Sequence, residues 1–115
     1  MKELSIVIPF MNEGENLKRT LISIVETATC PIDVIIVNDN STDGYPYKQL
    51  EESFGIRMIE NDKRIGPAAC REMGISAIET PYFLTVDAHM QFGQDDWCNA
   101  IIEQLRKKPN SIYCC

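Results

Sequence analysis

Four short apolar runs, each followed by polar turn-forming residues, constrain this chain more than any other feature. "LSIVIPF" (4–10), "IDVIIV" (32–37), "IRMIE" (56–60) and "YFLTV" (82–86) are short and largely β-branched or aromatic, so each reads as a strand rather than a helix, the third being the weakest. Helical patterns lie between them. In "NEGENLKRTLISIVETA" the residues Leu17, Leu21, Ile24 and Ala28 share one face, and Asn12 with Glu15 three positions on is close to a capping box. "YKQLEESF" (47–54) predicts a short helix, and Pro67 opens another that runs through Glu79 until Thr80 and Pro81 end it. "GQDDW" starts a last helix, with Asp95 or Asp96 at its N-terminus, that passes Ile101, Ile102 and Leu105 before Pro109. "SIYCC" begins a fifth strand. Strand and helix alternating in this way predict an α/β fold of three layers, α/β/α, around a mostly parallel sheet with right-handed crossovers.

A chain of 115 residues without repeat, linker or low-complexity tract reads as a single domain, residues 1–115. Its formal charge is −6, from 11 basic and 17 acidic residues, and no basic cluster exceeds "RKK" at 106–108. Counterion release requires a basic face, so nucleic acid is excluded as a partner, whereas a small polyanion held by one or two cations is not. Five cysteines, odd in number and without a CxxC pair, point to reduced thiols and a cytoplasmic setting, with association at a membrane surface left open. The apolar start is too short for a signal sequence, and no run approaches the roughly 18 residues that cross a bilayer. The terminal "CC" reads as a strand cut short rather than as a prenylation signal, so the expected protein continues past Cys115.

In an open parallel sheet, ligands bind beyond the C-terminal ends of the strands. Pro9, Asn12 and Glu13 follow the first run, and Asn38, Asp39, Asn40, Ser41 and Asp43 follow the second. Asn61, Asp62, Lys63, Arg64 and Gly66 follow the third, with Arg71 one helical turn on; Asp87 and His89 follow the fourth. Four loops thus bring acids, amides and cations to one rim.

Each group also has a plainer reading. "NDNSTDG" is good turn chemistry, although Asp39 at the mouth of an apolar strand is less explained by a turn than its neighbours. Glu13 suits the positive end of a helix, and Lys63 and Arg64 suit a solvated loop. Arg71 lies among Ala68, Ala69 and Gly74, which permit close approach to a sheet; its forked donors suit a diphosphate or a helix-surface salt bridge. Asp87 and His89 are two apart, so in extended chain both face one side and can meet one ion. The histidine is the chain's single imidazole; a structural role competes with metal ligation. Two protein donors need phosphates and water to complete a coordination shell, and the nitrogen donor favours Mn2+ over Mg2+.

These stretches resemble the N-terminal, nucleotide-binding half of a family 2-type glycosyltransferase with the Rossmann-like GT-A fold. "SIVIPFMNEGENLKRTLISI" resembles the opening strand and helix of that family, and "DVIIVNDNSTDG" its second-strand signature, with Asn38 where an acid is usual. "NDKRIGPAACREMGISAIETPYFLTVDAH" resembles the segment from the diphosphate-side loop to the metal motif. In place of the common Asp-x-Asp stands Asp-Ala-His, similar to the DxH of polypeptide N-acetylgalactosaminyltransferases. Most family 2 enzymes invert the anomeric centre and those relatives retain it, so stereochemistry is left open.

The resemblance implies a role for each matching position. Pro9 and Glu13 would line the nucleobase and ribose side, and Asp39 would accept a hydrogen bond from a uracil-like base. Arg71, with Arg64, would face the diphosphate. Asp87 would touch ribose, metal or both, and His89 would ligate the metal. The implied partners are a nucleoside diphosphate sugar, UDP-linked by preference, and an acceptor not specified by these residues, which could be a glycan, a lipid or a protein. Family members run well beyond this length, their later half carrying the acceptor site, the base of inverting enzymes and further metal ligands. The catalytic base is accordingly unknown, and a fragment of this extent would be inactive alone. Two alternatives stand beside it: a sugar-nucleotide nucleotidyltransferase, disfavoured because "PFMNEGEN" lacks a Gly-rich basic loop, and a non-catalytic nucleotide-binding module.

Overall fold

The computed structural model describes residues 3–28, 30–88, 101–103 and 113–114. Strands β1 (Leu4–Phe10), β2 (Ile32–Asn38), β3 (Arg57–Glu60), β4 (Tyr82–Thr85) and β5 (Tyr113–Cys114) form one sheet in the order β3-β2-β1-β4-β5. Every neighbouring pair is parallel. Helices α1 (Glu15–Thr27), α2 (Tyr47–Phe54) and α3 (Pro67–Ser76) connect them, and residues 101–103 are helical.

Side chains alternate across β1. Leu4, Ile6, Ile8 and Phe10 join Val34 and Ile36 of β2 and Leu84 of β4 in the larger core cluster, together with Leu17, Leu21 and Ile24 of α1, Tyr47 and Leu50 of α2, and Ile102. Ile35 and Val37 point the other way and meet Cys70 of α3. Full burial of each aliphatic side chain contributes about 1.5–3 kcal/mol, so α1 is held by its apolar face. Helix α3 is held differently: a Cβ on Gly74 would collide with Val7 Cγ1 and lie 3.3 Å from Val37 Cγ2, so only glycine lets α3 sit this close to the sheet.

The expected three-layer parallel architecture is therefore present, with local differences. Asn12 does not cap α1: the helix begins at Glu15 behind Gly14, with no side-chain cap bond, and Asn12 adopts φ 53. Its side chain turns to the loop after β2 instead, where Oδ1 accepts from Thr42 N at 2.7 Å. β3 begins at Arg57 rather than at Ile56, and α3 stops at Ser76 rather than Glu79. β4 ends at Thr85, although Val86 N still donates to Val7 O at 3.1 Å. Cys30 is disulfide-bonded and Cys70 carries a free buried thiol. The expectation of reduced thiols thus fails at Cys30, and with it the cysteine argument for a cytoplasmic setting. Among the described residues no helix is long and apolar enough to cross a membrane. His89, Asp95 and Asp96 lie outside the described residues.

Candidate functional site

Strand β1 pairs with β2 on one side and β4 on the other, so the winding direction reverses at β1, and there the loops leaving the strands diverge and open a crevice. Register sets the strand ends level. Phe10 pairs with Asn38, Asn38 with Glu60, and Val7 with Thr85, so two further residues bring Asp87 to the height of Pro9. Above these ends lies a pocket of about 240 Å³. Pro9, Phe10, Met11 and Glu13 line it from the β1 side and Asp39 from β2; Arg64, Pro67, Cys70 and Arg71 come from the β3–α3 segment, and Asp87 and Ala88 follow β4. Of the seven site residues expected from sequence, Pro9, Glu13, Asp39, Arg64, Arg71 and Asp87 are brought together here.

Asp39 is the most constrained of them, at 4% exposure. Its Oδ1 accepts from Ile65 N at 2.8 Å and Asn61 Nδ2 at 3.4 Å, and its Oδ2 accepts from Gly66 N at 2.9 Å. Burial pushes the carboxyl upward in pKa, but the amides of Ile65 and Gly66, helped by Asn61 and Cys70, outweigh it and hold the group below its usual value. It is therefore ionised at neutral pH. The Cys70 thiol is pushed up by burial first and by the Asp39 charge second, with Asn61 opposing. That thiol is protonated and inert at neutral pH.

The rest of the "NDNSTDG" loop follows turn chemistry. Asn38 Oδ1 accepts from Ser41 N at 2.9 Å, and Asn40 takes φ 55. The loop is also tied to the β1–α1 loop. Ser41 Oγ accepts from Asn12 N at 3.0 Å, and the Tyr47 hydroxyl accepts from Gly14 N at 2.8 Å while donating to Asp43 Oδ2 at 2.7 Å. Tyr47 stays protonated to high pH, its pKa raised to about 12 by burial and then by the Asp43 carboxylate. Two rim loops are thereby fixed as one unit, with Glu13 and Met11 on the pocket side of it.

Arg64 is exposed and Arg71 half-buried, and among the described residues neither takes part in an ion pair. The helix-surface salt bridge considered for Arg71 is thus not formed among these residues. Two guanidiniums line the pocket beside the N-terminal turn of α3, so this wall carries positive charge. Asp87 is exposed on the β4 side. No group of three or more His, Cys, Asp or Glu that could hold a metal occurs among the described residues. A cation at Asp87 would need donors beyond these described residues.

Phe10, Met11, Cys70 and Ala88 were not expected at the site from sequence, and Pro67 only as a helix start. Apolar lining reads as core in a one-dimensional pattern; the available signal was their adjacency to Pro9, Arg71 and Asp87 at strand and helix ends.

A parallel sheet whose order reverses at β1, with a pocket at that point, defines an open Rossmann-like α/β protein. Residues 5–115 match the model of glycosyl transferase family 2, and the chain belongs to that family. It is 36% identical over 93 residues, 76% of its length, to teichoic acid poly(glycerol phosphate) polymerase from Staphylococcus epidermidis, and covers 13% of that protein. Among solved structures it superposes with TM-score 0.81 on a Pyrobaculum calidifontis mannosyltransferase in complex with GDP-Man and Mn2+, at 21% identity, covering 90% of this chain and 32% of that one. It superposes with TM-score 0.76 on S. aureus TarS 1-349 in complex with UDP-GlcNAc, at 18% identity, covering 91% of this chain and 31% of that one. The fold is the GT-A type that the sequence resemblance implied. The chain spans less than a third of these proteins' lengths, near a third in the mannosyltransferase.

Proposed function

We propose that this chain is the donor-binding half of a glycosyltransferase that takes a nucleoside diphosphate sugar, UDP-linked by preference, and passes the sugar to an acceptor bound elsewhere in the full protein. The observation that carries the reading is the convergence of four strand-end loops on one pocket, with Asp87 on one side and, on the other, two arginines that form no ion pair among the described residues. The S. aureus structure bound to UDP-GlcNAc and the P. calidifontis structure bound to GDP-Man and Mn2+ support the ligand class.

The base and ribose would lie along Pro9, Glu13 and Asp39, and the diphosphate would face Arg64 and Arg71. When the glycosidic C–O bond breaks, negative charge grows on the departing diphosphate, and the two guanidiniums stabilise it where it develops. Asp87 offers one hard oxygen donor to a divalent cation, with His89 as the expected second ligand. A bound cation, Mn2+ in preference to Mg2+, would supply Lewis-acid stabilisation of the same leaving group.

Calorimetric titration with UDP, with and without Mn2+, tests the reading. Weak binding that tightens with Mn2+ is expected, together with little transfer activity from this chain alone. Unchanged Mn2+-dependent binding in His89→Ala removes the metal role of that residue, and no binding of UDP under either condition refutes the function.

A further inference from the structure

The base-side and phosphate-side walls of the pocket are joined by a single carboxylate. Asp39 lies at the end of β2, yet the amides that hold it belong to the next loop: Asn61 Nδ2, Ile65 N and Gly66 N, at 3.4, 2.8 and 2.9 Å, with the Cys70 thiol of α3 as a further partner. The loop's near end is continuous with the sheet, because Asn61 N donates to Asn38 O at 2.9 Å. Its far end turns on Gly66, whose φ of 92 suits glycine and presents its amide to Oδ2. Between these anchors sits Arg64, exposed, directly before the two latched amides.

We propose that Asp39 is a positioning residue, whose carboxylate latches the 61–66 loop to β2 and thereby sets Arg64 and the start of α3 against the pocket. The latch rests on the assignment of this pocket to a nucleotide ligand only for its consequence in binding; the latch itself is a property of the ligand-free protein. An aspartate that merely read a nucleobase would leave the phosphate wall unaffected when replaced. A latch makes both walls fail together. Asp39→Asn keeps an acceptor for one amide but sets an NH2 donor against the other, so the loop is released while the strand framework stays.

Two measurements on Asp39→Asn, made by NMR on the whole chain, decide the matter. Amide exchange at Ile65 and Gly66 is expected to rise roughly tenfold or more over wild type, with Ile6 and Ile36 unchanged. Affinity for inorganic pyrophosphate at low salt is expected to fall by about fivefold or more, and this loss is expected to shrink in an Arg64→Gln background, because the latch acts in part through Arg64. Unaltered exchange at both amides overturns the proposal. So does a loss of uridine binding with pyrophosphate binding intact, or an equal pyrophosphate loss with Arg64 already removed. If Asp39→Asn does not fold, Gly66→Ala serves instead. It leaves the carboxylate in place, strains the φ of 92, and is expected to reproduce the pyrophosphate loss; unchanged binding there again overturns the latch. Wild-type protein that binds neither pyrophosphate nor uridine refutes the functional reading, while the exchange rates still judge the latch.

Discussion

Replacing Tyr47 by phenylalanine removes one oxygen atom, and with it the short hydrogen bonds to Asp43 and Gly14, while keeping the ring. The ring packs against Phe10 and Tyr45, with centroids 4.7 and 4.9 Å away, and phenylalanine preserves both contacts. What is lost is the bond donated to Asp43 Oδ2 at 2.7 Å and the bond accepted from Gly14 N at 2.8 Å. Asp43 is exposed and regains water, so its loss costs about 1 kcal/mol; the part-buried Gly14 amide, left unpaired, costs about 1–2 kcal/mol. Tyr47→Phe is therefore expected to lower stability by about 2–3 kcal/mol at pH 8, or Tm by about 8–12 °C for a chain of this size.

The pH dependence gives a second, independent check. The phenol's pKa is raised from 10.0 to about 12 in the folded protein, so its contribution is complete below pH 10 and is lost as pH rises toward 12. At pH 11 the unfolded phenol has ionised and the folded one has not, which removes about 1.4 kcal/mol from wild type and nothing through this group from the variant. Urea unfolding of both proteins from pH 8 to 11 measures the gap between them. A gap below about 0.5 kcal/mol at pH 8, or one that does not narrow above pH 10, would refute the assignment of both bonds.

Two further outcomes are expected. Gly74→Ala places a methyl group into Val7 and Val37, and overpacking of about 1–3 kcal/mol outweighs the roughly 1 kcal/mol gained in helix propensity; urea unfolding should show a destabilised protein, and Val7→Ala should restore part of the loss. The Cys70 thiol, taken as the difference between wild type and Cys70→Ser, should react with an aromatic disulfide reagent at pH 8 on the order of 100-fold more slowly in the native than in the urea-unfolded protein, and equal rates would contradict its burial beside Asp39.

The strands are legible in the sequence because a parallel strand buried on both faces must be apolar throughout, and that leaves a mark no surface element imitates. The site is legible for a related reason. Once β1 is central, polar residues after each run have no interior to enter, so Glu13, Asp39, Arg64 and Asp87 gather at the rim. What is not legible depends on three-dimensional choice. Asn12 carries a side chain that suits a helix cap and a loop clamp equally, and the clamp wins because Ser41 and Thr42 lie within reach only after β1 and β2 pair. Turn chemistry explains Asn38 and misses Asp39, which differs from it by one position and by facing the next loop. Cys70 and Phe10 fill both a core and a pocket floor, and hydropathy cannot tell the two apart.

The reversal of strand order at β1 also carries a consequence for how the protein comes into being. Pro9 and Asp87 are separated by most of the chain and become neighbours only after β4 has docked beside the oldest strand. No shorter segment emerging from a ribosome can present both walls of the crevice, so affinity for a ligand must arise late and abruptly, when the fourth strand is captured. A ligand that bridges those walls would then act as a brace across β1 and β4, resisting the departure of the fourth strand from the first.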